Sequence, residues 1–249
     1  MVLDFIQTIR RTPGKHDPHA LRKTIDDVSI HVPQGKVTAI VGASGSGKTT
    51  LIRLMLGYYP VLEGQINIGN TDINKLNKKW WRRQCGVVMQ EGVIFSESIA
   101  RNIAVDDGDI DKERLLKAAE IACIKDYVMA LPLKFNTKIG RDGVGLSQGQ
   151  KQRILIARAV YKNPAYIFLD EATNSLDANN ERSIVENLDK FYKGKTVVIV
   201  AHRLSTVKNA DQIVVIDHGK VVEVGNHESL TAKRGAYYNL VKNQLELGN

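Results

Sequence analysis

The residues with the clearest chemical purpose form a glycine-rich stretch that follows an apolar run. The stretch matches the pattern G-x-x-x-x-G-K-[ST] and consists of Gly42, Ala43, Ser44, Gly45, Ser46, Gly47, Lys48 and Thr49. The apolar run Val37–Val41 precedes it, and a segment with helical periodicity begins at Thr50. The order strand, glycine loop, helix is the context that a phosphate-binding loop needs.

Such a loop predicts a site for a nucleoside triphosphate. Glycines let several backbone N–H groups turn inward, and the start of the helix adds a partial positive charge. Lys48 can reach the outer phosphates and the Thr49 hydroxyl can bind Mg²⁺, so residues 42–50 are the candidate nucleotide-binding residues. A glycine-rich turn without a ligand has the same letters, but the flanking strand and helix favour the phosphate loop.

Two carboxylates stand at the end of a second apolar run. Residues 166–169 are apolar, and Asp170 and Glu171 follow them directly. In a parallel α/β sheet the strand ends face the ligand crevice, where Asp170 can hold Mg²⁺ through water. Glu171 can polarise a water that attacks the γ-phosphate. Alone, the pair could be an ordinary acidic loop, and the phosphate loop makes the catalytic interpretation the stronger one.

A third motif predicts a second helix N-terminus. Its residues are Leu146, Ser147, Gln148, Gly149 and Gln150. Ser147 and Gln150 have the S-x-x-Q spacing of a capping box, which predicts a helix over 151–160. A plain helix cap has the same letters, but this helix start is also able to hold phosphate.

The pattern of apolar residues predicts an α/β fold with a parallel sheet. Strands are expected at 3–9, 25–32, 37–41, 65–68, 86–90, 166–169, 196–200, 212–216 and 221–224, and helices after the loop and at 96–132, 178–193, 204–209 and 228–246. Near-continuous apolar strands between helices fit a sheet that is covered on both faces.

Composition narrows the class of protein. The 249 residues are 43% hydrophobic, with two cysteines and a net charge of +8. No apolar run is long enough to span a bilayer, no secretion signal is visible, and the cysteines are expected to be reduced thiols. The basic residues are mostly dispersed, which favours solvated lysines and a polyanion site over a nucleic acid partner. The densest cluster, 78–83, could contact lipid headgroups, a partner or nucleic acid through its tryptophans, or pack them inward.

In this order the motifs resemble the nucleotide-binding domain of ATP-binding cassette (ABC) transporters. Residues 42–49 look like the Walker A loop, Gln90 like the Q-loop, and residues 146–150 like the signature. Asp170 with Glu171 looks like Walker B with its catalytic carboxylate, and residues 175–177 like the D-loop. His202 is similar to the H-loop histidine. The resemblance covers nearly the whole chain.

The resemblance implies a fold and a mechanism. The fold is a P-loop NTPase (RecA-like) core with an antiparallel β subdomain and an inserted α-helical subdomain, in one domain of residues 1–249. The core is expected at about 1–91 and 165–249, and the helical subdomain at about 92–164. Two copies meet head to tail, so that residues 146–150 and Asp177 of one copy touch the ATP of the other. Glu171, His202 and Gln90 are the catalytic residues, and Thr49, Gln90 and Asp170 hold Mg²⁺.

Two further segments resemble exporters. Residues 93–103 are similar to the exporter stretch after the Q-loop, and residues 139–143 to the X-loop, with Asp142 in place of its usual Glu. The resemblance implies a homodimer at the cytoplasmic side of the cell (inner) membrane, without nucleic acid. The transmembrane domain is expected in the missing N-terminal part of the same chain. The sequence of residues 146–150 also resembles that of bacterial peptide exporters with an N-terminal peptidase domain.

This chain departs from the family pattern at two places. The second signature position is Gln148 rather than glycine, which puts the affinity of the two copies in question. The aromatic residue that stacks on adenine is replaced by Thr12, and Arg11 or His16 offers a planar face instead.

Two other functions remain as alternatives. A soluble ABC-type ATPase could act on nucleic acid or ribosomes, but such proteins usually carry two cassettes or a long insertion. A regulatory module could bind nucleotide without turnover, but Glu171 and His202 argue for hydrolysis.

Overall fold

The apolar runs of the sequence become the strands of a layered α/β protein. The structure is a computed structural model that describes residues 3–10, 25–61, 63–105, 108–173, 176, 178–201 and 203–247, with the backbone alone at 3–10, 178–180, 204–205 and 244–247. Two compact units divide the chain, one of residues 1–85 with 194–249 and the other of residues 86–193. The boundaries of the helical subdomain, 92 and 164, stay a prediction.

The first unit contains the predicted parallel sheet. Its strands are β3 (Val37–Val41), β8 (Thr196–Val200), β9 (Gln212–Asp217) and β10 (Lys220–Gly225), in the order β10-β9-β3-β8. β3 is parallel to both β8 and β9, and β10 closes the edge antiparallel to β9. β8 is buried along its whole length, as expected of a parallel strand that is covered on both faces.

A smaller antiparallel sheet lies in the same unit. It consists of β1 (Leu3–Arg10), β2 (Ile30–Val32), β4 (Glu63–Ile68) and β5 (Thr71–Asp72), in the order β2-β1-β4-β5. The prediction of a strand over 25–32 is wrong for its first half. Asp27 adopts a left-handed φ of 55°, and Asp26 donates its N–H to the Gly219 carbonyl at 2.9 Å. This turn prevents an extended strand before Ile30.

In its described residues, the first unit has five α-helices. They are α1 (Lys48–Met55), α2 (Lys78–Gln84), α8 (Leu204–Val207), α9 (His227–Lys233) and α10 (Ala236–Leu247). A single tail helix over 228–246 is a wrong prediction, because Arg234 has a φ of 54° and ends α9. Gly235 follows, and a Cβ there would lie 1.9 Å from Oε1 of the buried Glu223.

The basic cluster at 78–83 forms α2, and its two tryptophans divide. Trp81 is fully buried and donates its Nε1–H to the Met55 carbonyl at 2.9 Å. Trp80 is 44% exposed, among the exposed side chains of Lys78, Lys79 and Arg83. The inward packing is therefore confirmed for Trp81, and a contact of Trp80 with a partner stays a prediction.

The second unit is mostly helical. It holds α3 (Ile99–Ala104), α4 (Lys112–Ile121), α5 (Lys125–Ala130), α6 (Gln148–Lys162) and α7 (Ala178–Phe191), with the neighbouring strands β6 (Cys85–Val88) and β7 (Tyr166–Asp170). The helical region predicted over 96–132 is three helices, because Val105 and Cys123 have left-handed φ values of 45° and 51°. α3 and α4 pack on α6. No helix in the described ranges is long and apolar enough to cross a membrane.

Candidate functional site

The glycine loop joins β3 to α1 and is shaped by a close approach of two backbones. A Cβ on Gly42 would lie 2.0 Å from the Ile216 carbonyl oxygen and 2.9 Å from the Ser46 hydroxyl oxygen, so only glycine fits. Gly47 caps α1 with a φ of 107°, which is a conformation that other residues avoid. The Ser46 carbonyl accepts the Gly219 N–H at 3.1 Å, which fixes the loop on the turn after β9. Ala43, Ser44 and Gly45 form its exposed tip.

Two polar side chains of the loop point into it. Lys48 is only 5% exposed, and its Nζ donates to the carbonyls of Gly42 at 2.9 Å and Ala43 at 2.8 Å. Ser46 is equally buried, and among the described residues no hydrogen-bond partner exists for its hydroxyl. A buried ammonium that donates to backbone carbonyls, beside a buried hydroxyl, provides a cation and a donor that phosphate oxygens can accept from.

The loop therefore fits a triphosphate by its own geometry. Thr49 and Thr50 follow Lys48 in the first turn of α1, and both are half-buried. The N–H groups of a first helical turn point along the axis towards the N-terminus, where they attract phosphate. The donor set of hydroxyl and carboxylate oxygens predicted for Mg²⁺ is the kind that this hard cation prefers.

The two carboxylates lie at the end of β7, in the second unit. Asp170 is the last residue of the strand and is 1% exposed. Glu171 follows with a φ of 52°, a left-handed conformation that is costly for a residue with a Cβ. Strain of this kind is concentrated at functional sites, where it aims a side chain that a continuing strand would turn away.

The predicted Q-loop and signature are also in the second unit. Gln90 is exposed, two residues beyond the end of β6. Ser147 caps α6 and is exposed, and the capping box is confirmed: Gln150 N–H donates to Ser147 Oγ at 3.2 Å and Ser147 N–H to Gln150 Oε1 at 2.8 Å. Gln148 is exposed beside it, and Leu146 and Gly149 are half-buried.

Several predicted site residues lie outside the described residues. These are Arg11, Thr12 and His16 of the adenine loop, Asp177 of the D-loop and His202 of the H-loop. Their roles stay predictions.

One buried polar group escaped sequence reasoning. Asn102 is fully buried in α3, where its side chain bonds to the segment 95–98 and to Arg158 of α6. Burial lowers the pKa of the Arg158 guanidinium from its ordinary value. The signal in the sequence is a polar residue directly before the apolar Ile103, and its meaning depends on a helix that is distant in the chain.

Comparisons with known proteins agree with this geometry. The family model described as ABC transporter matches residues 25–174, which is more than half of the chain. The chain is 45% identical over 221 residues to mitochondrial ATP-binding cassette sub-family B member 10 of Mus musculus, covering 88% of this chain and 31% of that protein. It is 46% identical over 223 residues to the toxin RTX-III translocation ATP-binding protein of Actinobacillus pleuropneumoniae, covering 89% and 31%.

A solved structure is similar in fold and in sequence. The structure of a bacterial Atm1-family ABC exporter with ATP bound matches 98% of this chain and 42% of that chain, with a TM-score of 0.89 and 34% identity. The chain thus spans about a third of the length of the two relatives above, 31% of each. This chain belongs to the ABC transporter family, as an ATP-binding ATPase domain of the exporter type with the P-loop NTPase fold.

Proposed function

We propose that this chain hydrolyses ATP with Mg²⁺ and that hydrolysis drives the export of a substrate across a membrane. The observation that carries the proposal is the loop of residues 42–49. Its backbone is held so closely that Gly42 has no room for a Cβ, and it encloses the Lys48 ammonium and the Ser46 hydroxyl. The exporters among its relatives support the transport role.

In this proposal, each side chain has one task. Residues 42–50 bind the phosphates, with Lys48 Nζ leaving the loop carbonyls for the β- and γ-phosphate oxygens. Thr49, Asp170 and Gln90 would hold Mg²⁺, which neutralises charge that develops on the phosphate oxygens. Glu171 takes a proton from the attacking water, and His202 contacts the γ-phosphate and steadies that water.

A second copy completes the site. The exposed Ser147, with Leu146, Gln148, Gly149 and Gln150 around the start of α6, contacts the γ-phosphate bound by the loop of the other copy. Asp177 contributes from the D-loop. Each copy then supplies one half of each site, and neither half suffices for hydrolysis.

We further propose that the membrane partner precedes this domain in a longer chain. The relatives are about three times as long as the matched region, which leaves room for membrane helices. The domain then lies at the cytoplasmic side of the membrane, where ATP is available. The transported substrate contacts those helices and is not encoded in the residues described here.

The direct test replaces the proposed base. Glu171→Gln keeps the size and polarity of the side chain but removes its basicity, so ATP turnover should fall by about a thousandfold or more while ATP binding persists. Lys48→Ala is the complementary variant, in which ATP binding itself should be lost. Steady-state phosphate release and equilibrium binding of a fluorescent ATP analogue separate the two effects. Normal hydrolysis by Glu171→Gln would overturn the assignment of the base.

A further inference from the structure

The buried amide of Asn102 holds a loop in place. Its Oδ1 accepts the Phe95 N–H at 2.8 Å, and its Nδ2 donates to the carbonyls of Phe95 at 3.0 Å, Ser98 at 3.1 Å and Glu97 at 3.3 Å. All of these partners belong to the segment 93–98, which follows Gln90 in the chain. One fully buried side chain thus replaces the backbone hydrogen bonds that a loop without regular structure lacks.

Arg158 of α6 binds the same segment from the other side. Its Nε donates to the Asn102 carbonyl at 2.8 Å, its Nη1 to the Val93 carbonyl at 3.0 Å and its Nη2 to Asn102 Oδ1 at 3.3 Å. The guanidinium also lies 5.1 Å from the centre of the Phe95 ring. No ion pair joins Arg158 to a carboxylate among the described residues. Its guanidinium donates instead to two backbone carbonyls and one side-chain amide.

The contact between this segment and α6 reaches back towards Gln90. A Cβ on Gly92 would lie 2.1 Å from Leu155 Cδ1, so the chain passes directly over the helix there. Leu155 and Arg158 are three residues apart and lie on one face of α6. The backbone from Gly92 to Phe95 therefore follows α6 over almost one helical turn.

A second connection joins the segment to the residues before the signature. Ile139 N–H donates to the Glu97 carbonyl at 2.9 Å, and Arg141 N–H to Ser96 Oγ at 3.2 Å. A Cβ on Gly140 would lie 2.8 Å from the Phe95 carbonyl oxygen. The segment 93–98 is thus held both on the body of α6 and on the turn that leads to Ser147.

We propose that Asn102 and Arg158 are positioning residues for ATP hydrolysis, which hold the segment 93–98 on α6 so that Gln90 and Ser147 move together. This inference rests on the proposed function, in which Gln90 acts at one ATP and Ser147 at the ATP of the other copy. α6 is a continuous hydrogen-bonded helix from its cap at Ser147 past Arg158, so it transmits a displacement over that distance. The state of one site is thereby passed to the other.

The test compares Arg158→Lys with Arg101→Lys in the full chain. Lysine keeps the charge, but its three N–H donors lie on one nitrogen and cannot reproduce the planar geometry in which Nε, Nη1 and Nη2 of Arg158 donate. Arg101 is the matched control, because it is the exposed neighbour of Asn102 on α3 and its Nη1 bonds to the Gly108 carbonyl at 3.3 Å. Asn102→Ala is the second variant, which removes the amide from the segment. ATP hydrolysis, ATP binding and amide hydrogen exchange are measured well below the Tm of each variant.

For Arg158→Lys we expect kcat to fall by about tenfold or more, since small misplacement of reacting groups is costly, while the ATP affinity of the loop is unchanged. Amide exchange should accelerate at 93–98 and also at 147–150. Arg101→Lys should match the wild type in all of these measurements. Unchanged kcat in both Arg158→Lys and Asn102→Ala would overturn the inference, as would faster exchange at 93–98 that does not extend to 147–150.

The exchange measurement does not depend on hydrolysis. If the wild-type chain fails to hydrolyse ATP, the proposed function is wrong, and the exchange at 147–150 still decides whether the two segments are coupled. A fall in kcat that is matched by an equal fall in the folded fraction would reduce Asn102 and Arg158 to structural residues and also contradict the inference.

Discussion

The shape of the phosphate-binding loop depends on the absence of a side chain at Gly42. A Cβ there would collide with the Ile216 carbonyl oxygen at 2.0 Å, and a backbone atom cannot turn aside as a side chain can. Gly42→Ala should therefore push the loop away from the end of β9, remove ATP binding, and lower the free energy of unfolding by about 1–3 kcal/mol. Thermal unfolding with and without ATP measures both effects.

Gly35→Ala is the matched control for Gly42→Ala. Gly35 also has a positive φ, 69°, but no atom lies within 4 Å of a Cβ built on it. The substitution adds only left-handed strain, about 1 kcal/mol, and should leave ATP binding intact. If both variants lose ATP binding to the same extent, the collision with Ile216 is not what shapes the loop.

Sequence spacing predicts residues of this kind well when their chemistry is local. The pattern at 42–49 requires neighbours in the chain alone, and so does the capping box at Ser147 and Gln150. The burial of Asn102 could not be predicted, because it depends in part on Arg158, which is distant in sequence, and the residue type of Glu171 gives no signal of its left-handed φ. A sequence pattern identifies such a residue as polar without indicating its partners.

At the scale of single elements, the start of α6 combines two roles that can be separated. Ser147→Ala should lose the hydrogen bond from Gln150 N–H and destabilise the chain by about 1 kcal/mol. It should also slow ATP hydrolysis, because the hydroxyl is proposed to touch a phosphate.

Asn226→Ala provides the control, since Asn226 and Ser229 form a capping box at the start of α9. Its cost in stability should be similar, while ATP hydrolysis stays at the wild-type rate. Chemical denaturation and phosphate release measure the two effects. Equal hydrolysis by both variants would mean that Ser147 serves as a helix cap alone.

The junction of β3 and β9 gives a prediction about pH. Burial acts to raise the pKa of Asp211, but the hydrogen bond from Val37 N–H at 2.8 Å and the Lys36 ammonium at 3.0 Å outweigh it, and the pKa lies below its ordinary value of 3.8. A carboxylate with a depressed pKa in the folded state stabilises the protein above the unfolded pKa and loses this contribution as pH falls through the folded pKa.

Asp211→Asn should therefore lower the Tm by a constant amount near neutral pH, and the difference from the wild type should shrink as the pH falls below about 4. Thermal unfolding from neutral to acidic pH measures the difference directly. A difference that does not change with pH would show that the charge of Asp211 contributes nothing.

Among the elements, the strands were predicted best. β3 and β8 match their predicted bounds, because apolar runs of five residues between turns allow few alternatives. The predicted helices at 96–132 and 228–246 were too long, since helical periodicity continues across Val105, Cys123 and Arg234 although each adopts a left-handed φ. Nothing in these residue types favours that conformation, and it is imposed by the packing around them.

At the scale of the whole molecule, the apolar periodicity predicts the parallel sheet, and the resemblance to the family predicts the P-loop NTPase fold and the export function. The parallel sheet and the exporter type agree with the comparisons. The joining of two half-sites by a second copy stays a proposal. Such an association would be a property of two molecules, and the structure of one chain shows only that Ser147 and Gln148 are exposed.

Hydrolysis should accordingly depend on the concentration of the chain. If two copies form each site, the rate should rise with about the square of the chain concentration while the dimer is scarce, and become proportional to concentration once it predominates.

Glu171→Gln with ATP should elute at twice the mass of the ATP-free chain in size-exclusion chromatography. Gln148→Gly restores the family residue and removes a side chain at the proposed contact. In this variant the change from a quadratic to a linear dependence of the rate should occur at a lower chain concentration. A rate proportional to concentration over the whole range, with a monomeric Glu171→Gln variant, would exclude the shared site.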